Sequence, residues 1–269
     1  MFAARAGRCI IADDMGLGKT VQAIGAAEVL RKDFGIEKIL IVCPTSLKYQ
    51  WKTEIEKFTD STVTVVEGLP HSREAQYQDS SVYKIVSYHT AGNDVNILKK
   101  LDLDLVILDE AQRIKNWKTK TSQHIKNIPS RYAVVLTGTP IENRIDELHS
   151  IVAFVDKYKL GPLFKFLHNH QIADETGKVI GYTDLNKVGD SIKSILIRRT
   201  KKEVLKQLPE RLDKNYFVPV TEEQMRIHHT SPNIPSESEF IIRFPIPFLP
   251  ENINRIGSFS VYSKRTNAD

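Results

Sequence analysis

Residues 8–20 read Arg-Cys-Ile-Ile-Ala-Asp-Asp-Met-Gly-Leu-Gly-Lys-Thr, and the rest of the chain is best understood outward from them. An apolar run, 8–12, ends in a glycine-punctuated turn, and residues of helical period come next. A strand, a glycine turn and a helix in that order form the context in which a backbone grips phosphate. Glycines let successive N–H groups turn inward on an anion, and the helix N-terminus adds its partial positive charge. Asp14, Met15, Gly16, Leu17, Gly18, Lys19 and Thr20 are therefore the expected nucleotide-binding residues. Lys19 would neutralise the β and γ phosphates and the Thr20 hydroxyl would ligate Mg²⁺. Asp13 stands where the strict G-x-x-x-x-G-K-[ST] pattern has its first glycine.

Further along, short β-branched runs alternate with segments of helical period, as in a mainly parallel sheet with helices on both faces. The expected strands are 8–12, 38–43, 63–67, 83–88, 105–108 and 133–136, several of them apolar at every position, as strands buried on both faces should be. Leu47, Trp51, Ile55 and Phe58 share one helix face by their spacing, and Ile145, Leu148, Ile151, Val152 and Val155 share another. Trp51 reads as a core anchor. The run 105–108 delivers Asp109 and Glu110 at its C-terminal end, where ligands of open parallel sheets bind. Asp109 is suited to hold Mg²⁺, and Glu110 to take a proton from water attacking a γ-phosphate.

Composition narrows the class. The chain has 269 residues, 41% of them hydrophobic and 26% charged, which excludes collagen-like and wholly disordered chains. No apolar run approaches the roughly 18 to 20 residues that cross a bilayer, and the first residues lack a signal peptide's apolar stretch, so a cytoplasmic protein without a membrane partner is expected. Cys9 and Cys43 lie in apolar runs and read as core residues. The net charge of +5 lies wholly before residue 231, because residues 231–269 hold four basic and four acidic side chains. His168 and His170 are spaced as a ligand pair on a strand or loop could be, but no Cys or carboxylate triad accompanies them, so they do not read as a metal site.

The ordered set ADDMGLGKT, LIVCPTSLKYQW, DEAQRIKN, LTGTPIEN and IRRTKKEV resembles the first RecA-like lobe of the SWI/SNF-type helicase-like ATPases of helicase superfamily two. The resemblance spans about residues 8–230 and implies a RecA-like P-loop α/β domain that uses ATP and Mg²⁺ and partners double-stranded DNA. It implies catalytic roles for Lys19, Asp109, Glu110 and Gln112, metal contacts through Thr20 and Asp109, and relay of the nucleotide state by Thr137, Gly138 and Thr139. Pro44, Thr45, Ser46, Lys48, Arg113, Lys115 and Asn116 would then face nucleic acid, where sequence-independent binding needs phosphate contacts and positive charge. A nucleoid or nuclear setting follows for a bacterial or eukaryotic source respectively.

On that reading residues 1–160 form the ATP-binding core, and 161–200 form a small helical and hairpin insertion with a return to the lobe. Residues 201–230 form a basic linker toward a second RecA-like lobe missing from this chain, and 231–269 an irregular tail. The tail, with five prolines and the string FIIRFPIPFLP, fits neither helical nor strand period. The family also carries a Gln-bearing segment that recognises adenine and second-lobe arginines, and neither is found here, so a truncated piece of a longer ATPase is expected. Arg198, Arg199, Lys201 and Lys202 read as a solvated basic face as readily as a functional one. Two further function classes remain at this stage. A module that binds nucleic acid or a partner lobe without catalysis keeps its place. A GTPase or small-molecule kinase using the same loop is disfavoured, the first because Asn186-Lys187-Val188-Gly189 has glycine where a guanine-reading aspartate belongs and the second because Asp109 and Glu110 provide for water activation.

Overall fold

The computed structural model describes residues 2–138, 144–176, 178–204, 213–217 and 241–245. The chain divides into two units, Met1–Val204 and Leu205–Asp269. The first contains β1 (Arg8–Ile11), β2 (Ile39–Cys43), β3 (Val63–Val65), β4 (Tyr83–Ser87), β5 (Leu105–Leu108), β6 (Tyr132–Leu136), the hairpin strands β7 (Gln171–Ala173) and β8 (Val179–Tyr182), and β9 (Leu196–Ile197). Its helices are α1 (Phe2–Ala6), α2 (Lys19–Phe34), α3 (Lys48–Phe58), α4 (Pro70–Gln78), α5 (Tyr88–Asn93), α6 (Val95–Leu98), α7 (Lys120–Lys126), α8 (Ile145–Val155), α9 (Leu163–His170), α10 (Leu185–Ile192) and α11 (Lys201–Val204).

Seven strands pair side by side in the order β3-β4-β2-β5-β6-β1-β9, each neighbouring pair parallel. The alternation of side chains along each strand builds two cores. Ile10, Leu40, Val42, Val106, Leu108, Ala133 and Val135 point to one face, where α8 adds Leu148, Ile151 and Val152. Cys9, Ile11, Ile39, Ile41, Leu105, Ile107 and Val134 point to the other, where α2 adds Ala23, Ala27 and Leu30 and α3 adds Trp51 and Ile55. Strands buried on both faces must be apolar throughout, which is the run seen in the sequence. Both cysteines are free and buried.

The first unit departs from the sequence reading in three places. Tyr88 begins a helix instead of ending a strand, because the Ser87 hydroxyl accepts a hydrogen bond from the Thr90 N–H and caps α5. Phe58 lies at the end of α3 and is 48% exposed, with the Lys57 ammonium over its ring, so it is no part of the buried face. β9 was not foreseen, since two residues are too short to show a period, yet it adds an edge to the sheet by pairing Leu196 with Ile10. Phe166, Val188 and Ile192 of the insertion join the core on the α8 face.

In the second unit, β10 (Asp213–Phe217) and β11 (Ile241–Pro245) form an antiparallel pair. This corrects the expectation of an irregular tail over that stretch. Two adjacent isoleucines favour extended backbone, and Pro245 sits at the strand's last position, where a missing N–H is tolerated. The rest of the linker and tail lies outside the described residues.

Candidate nucleotide site

β1, β6 and β5 are neighbours running in one direction, so the loops after them emerge at one rim of the sheet. The loop after β1 turns at Gly18, whose left-handed φ of 70° lets the chain enter α2 at Lys19. Lys19 Nζ donates to the carbonyls of Asp13 at 2.8 Å and Asp14 at 3.3 Å. Thr20 is the second residue of α2, where its hydroxyl stands at the positive end of a 16-residue helix. Met15 is 67% exposed at the tip of the loop. The loop after β6 comes close: a methyl group built on Gly138 would lie 3.2 Å from Met15 Cγ, a tight contact, and 3.8 Å from Lys19 Nζ, an ordinary one.

The loop after β5 brings the acidic pair. The Asp109 carboxylate is buried and accepts hydrogen bonds from the Trp51 indole Nε1–H at 2.8 Å and from the Glu110 N–H at 2.9 Å. Burial is the main cause that raises its pKa above the usual carboxylate value, and Glu110 adds to it, while the indole bond and the charge of Lys19 oppose the rise. Glu110 has a left-handed φ of 52°, an uncommon conformation for a non-glycine residue and one often met at functional sites. Gln112 Nε2 donates to Glu110 Oε2 at 2.6 Å, and the Thr137 hydroxyl donates to Gln112 Oε1 at 3.4 Å. A hydrogen-bonded chain thus joins the acidic pair to the loop after β6. Thr139 lies outside the described residues.

The donor set suits a hard divalent cation. Asp109 is a buried carboxylate whose partners are two neutral donors, with a second carboxylate next to it in sequence, and such a group gains from a cation with oxygen ligands. Among the described residues no cluster of three or more His, Cys, Asp and Glu side chains exists. His168 and His170 lie on one helix two residues apart, on different sides of it.

The residues expected to face nucleic acid lie after β2 and β5, which are adjacent and parallel, so they too are at this rim. Thr45, Ser46, Arg113, Lys115 and Asn116 are exposed and Pro44 is half-buried. Lys48 departs from the expectation of an open cation: its side chain is only 8% exposed and its ammonium lies 2.7 Å from Glu67. Packing of α3 beside β3 desolvates the lysine, and the nearest carboxylate satisfies it. Lys115 is paired with Glu147 at 3.2 Å on the surface, where such a pair leaves the charge accessible.

Two residues of the site were not foreseen. Trp51 was read as core, and it is 1% exposed, but its indole also orients the metal-suited carboxylate. Arg199 was one of four basic residues of undecided role, and its guanidinium lies on the buried Asp13 carboxylate. Neither contact leaves a signal in the local pattern, because the partners are separated by 58 and 186 residues.

The SNF2-related domain family matches residues 3–261. An ATP-dependent helicase of Mycoplasma pneumoniae is 34% identical over 214 residues, covering 78% of this chain and 20% of that protein. A DNA repair and recombination protein RAD54-like of Mus musculus is 30% identical over 283 residues, covering 95% of this chain and 36% of that protein. The Sulfolobus solfataricus SWI2/SNF2 ATPase core in complex with double-stranded DNA superposes with a TM-score of 0.67 at 29% identity, covering 84% of this chain and 48% of that one. The chain spans about a fifth to a third of the length of these two relatives. With its RecA-like parallel sheet, and with its glycine-rich loop and its acidic pair on one rim, the chain belongs to the SNF2-related domain family.

Proposed function

We propose that this chain is the ATP-binding lobe of a DNA-dependent ATPase that moves along duplex DNA, hydrolysing ATP to ADP and phosphate when a second RecA-like lobe completes the site. The observation that carries the reading is the hydrogen-bonded chain from Glu110 through Gln112 to Thr137, set beside a phosphate loop whose lysine lies next to Gly138. Residues 14–20 would wrap the phosphates with backbone N–H groups, and Lys19 would leave the Asp13 and Asp14 carbonyls for the β and γ oxygens. Thr20 and Asp109 would hold Mg²⁺, which when bound neutralises the charge that develops on those oxygens. Glu110 would accept the proton of the attacking water, and Gln112 would orient its carboxylate. Thr137 would carry the change in that hydrogen-bonded chain to the loop after β6.

Duplex DNA as partner is supported by the exposed residues Thr45, Ser46, Arg113, Lys115 and Asn116 along the rim and by the DNA in the Sulfolobus solfataricus complex. Arginine supplied from outside a lobe is worth about 10³ to 10⁵ in phosphoryl-transfer rate. The chain alone is therefore expected to bind Mg-ATP and turn it over slowly. No helix of the described residues is long and apolar enough to cross a membrane. The test is a steady-state ATPase assay of the chain and its Lys19→Ala variant, with and without duplex DNA. Slow turnover lost in the variant supports the reading, and DNA binding that survives without detectable nucleotide binding favours a module that binds and does not catalyse. Turnover of about 1 s⁻¹ or more, stimulated by DNA, would contradict the need for a second lobe.

A further inference from the structure

Outside the acidic pair, a second cluster of charge sits behind the loop that follows β1. Asp13 is fully buried, 0% exposed, and occupies the position where the strict loop pattern has a glycine. A carboxylate so placed must be paired, since an unpaired buried charge is prohibitive. The Arg199 guanidinium takes both of its oxygens: Nε lies 3.2 Å from Oδ1 and 3.1 Å from Oδ2, and Nη2 donates to Oδ2. The Arg199 backbone N–H adds a bond to Oδ1 at 2.9 Å. Gln22, in the first turn of α2, donates from Nε2 to Asp13 Oδ2 at 3.0 Å and to the Leu17 carbonyl at 2.9 Å, and accepts from Arg199 Nη2. The two ends of the loop are thereby tied to one another and to residue 199. Burial would raise the Asp13 pKa, but the bonds from Arg199 and Gln22 outweigh it and hold the group below its ordinary value.

The backbone repeats the contact. The Asp14 N–H donates to the Arg199 carbonyl at 3.0 Å, and the Lys201 N–H to Asp14 Oδ2 at 3.0 Å. Upstream, the Ala12 N–H donates to the Ile197 carbonyl at 2.8 Å, so the segment follows the loop from the strand onward. The Lys201 ammonium lies 3.6 Å from where a methyl group on Gly16 would stand. The Asp13 carbonyl, whose position this clamp sets, is the same atom that accepts from Lys19.

We infer that Arg199 is a positioning residue for the nucleotide. By clamping Asp13 and Gln22 it fixes the span of the phosphate loop, and nucleotide affinity and the order of residues 197–201 are coupled through that clamp. The inference rests on the nucleotide reading above. A guanidinium suits the role because its planar fork meets both carboxylate oxygens at once, which an ammonium cannot do.

The experiment titrates the full chain with Mg-ATP carrying a methylanthraniloyl label on the ribose. Arg199→Gln and Asp13→Asn are each expected to weaken binding tenfold or more, Arg199→Lys by less, and the double variant no further than the weaker single one, as coupled partners should. A role confined to folding would lower the melting temperature and leave the affinity of the folded protein unchanged. In the parent chain, hydrogen exchange supplies a reading that needs no variant: the amides of Arg199 and Lys201 should exchange several-fold more slowly once nucleotide is added. Arg199→Gln within twofold of the parent, or amides indifferent to nucleotide, would overturn the inference while binding that depends on Lys19 leaves the nucleotide reading standing. Failure of the parent itself to bind the label, with Lys19→Ala no different, would overturn both.

Discussion

Two buried aspartates stand at the ends of two strands of the same sheet, and they are treated in opposite ways. Asp13, after β1, is matched by a resident guanidinium and held below its ordinary pKa. Asp109, after β5, is given an indole and an amide, both neutral, with a second carboxylate following it in the chain, and is held above. The first arrangement is complete without a ligand. The second leaves a negative field that a cation would satisfy. Asp13 is neutralised from within, and Asp109 is aligned by its donors and, on the proposed reading, would be neutralised by what it binds.

The comparison breaks if the two aspartates do not separate into one neutralised from within and one left for a ligand. The largest effect is expected at Glu110→Gln, which removes the proposed proton acceptor and should lower single-turnover hydrolysis of Mg-ATP by about 10² to 10⁴ with little change in melting temperature. Asp13→Ala should behave in the reverse sense for stability. Breaking a buried ion pair costs several kcal/mol, but the Arg199 side chain is 42% exposed and solvent takes up part of the loss. About 2 kcal/mol is expected, or roughly 4 to 8 °C in a thermal melt. A melt unchanged within 1 to 2 °C would show that Asp13 is not the architectural member of the pair.

Trp51→Phe keeps the ring in the core and deletes the N–H that meets Asp109. It should lower stability by about 1 kcal/mol and weaken Mg²⁺ binding measured by titration calorimetry, whereas a loss of stability alone would reduce Trp51 to packing.

The smallest effect is the dependence on pH. A carboxylate with a raised folded pKa binds its proton more readily in the fold, so its ionisation costs stability as pH rises, and metal binding must displace that proton. Mg²⁺ affinity should therefore begin to fall, on acidification, above the ordinary carboxylate range. The stability that Asp13 provides is present above the unfolded carboxylate pKa and is lost only as pH falls through its depressed folded value. An interval is expected in which metal affinity has declined and the melting temperature has not. Coincident declines would remove the distinction.

Much of this site was legible in the chain itself. The apolar runs of β2 and β5, the turn of positive φ at Gly18 and the placement of Asp109 and Glu110 after a buried strand are local patterns, readable because alternation, glycine and strand ends carry their own physical meaning. The exposed residues 45, 46, 113, 115 and 116 fell at the rim because parallel strands put all their C-terminal loops at one edge. What escaped depended on partners far apart. Lys48 looked like an open cation until Glu67 was found against it, and Phe58 kept the helical period yet fell past the edge of the core.

Local pattern thus sufficed for the class of fold, the loop that would hold phosphate and the acidic pair, since each depends on backbone conformation and hydrophobic period over a few residues. Three-dimensional packing settled which charges are already matched and which remain for a ligand. Asp13 and Asp109 are the same residue type at equivalent strand ends. Their different characters come from Arg199, 186 residues away, and Trp51, 58 residues away, brought to them by the sheet and by α3. Electrostatic environment is a property of distance in space, and a one-dimensional string carries it only where neighbours in space are also neighbours in the chain.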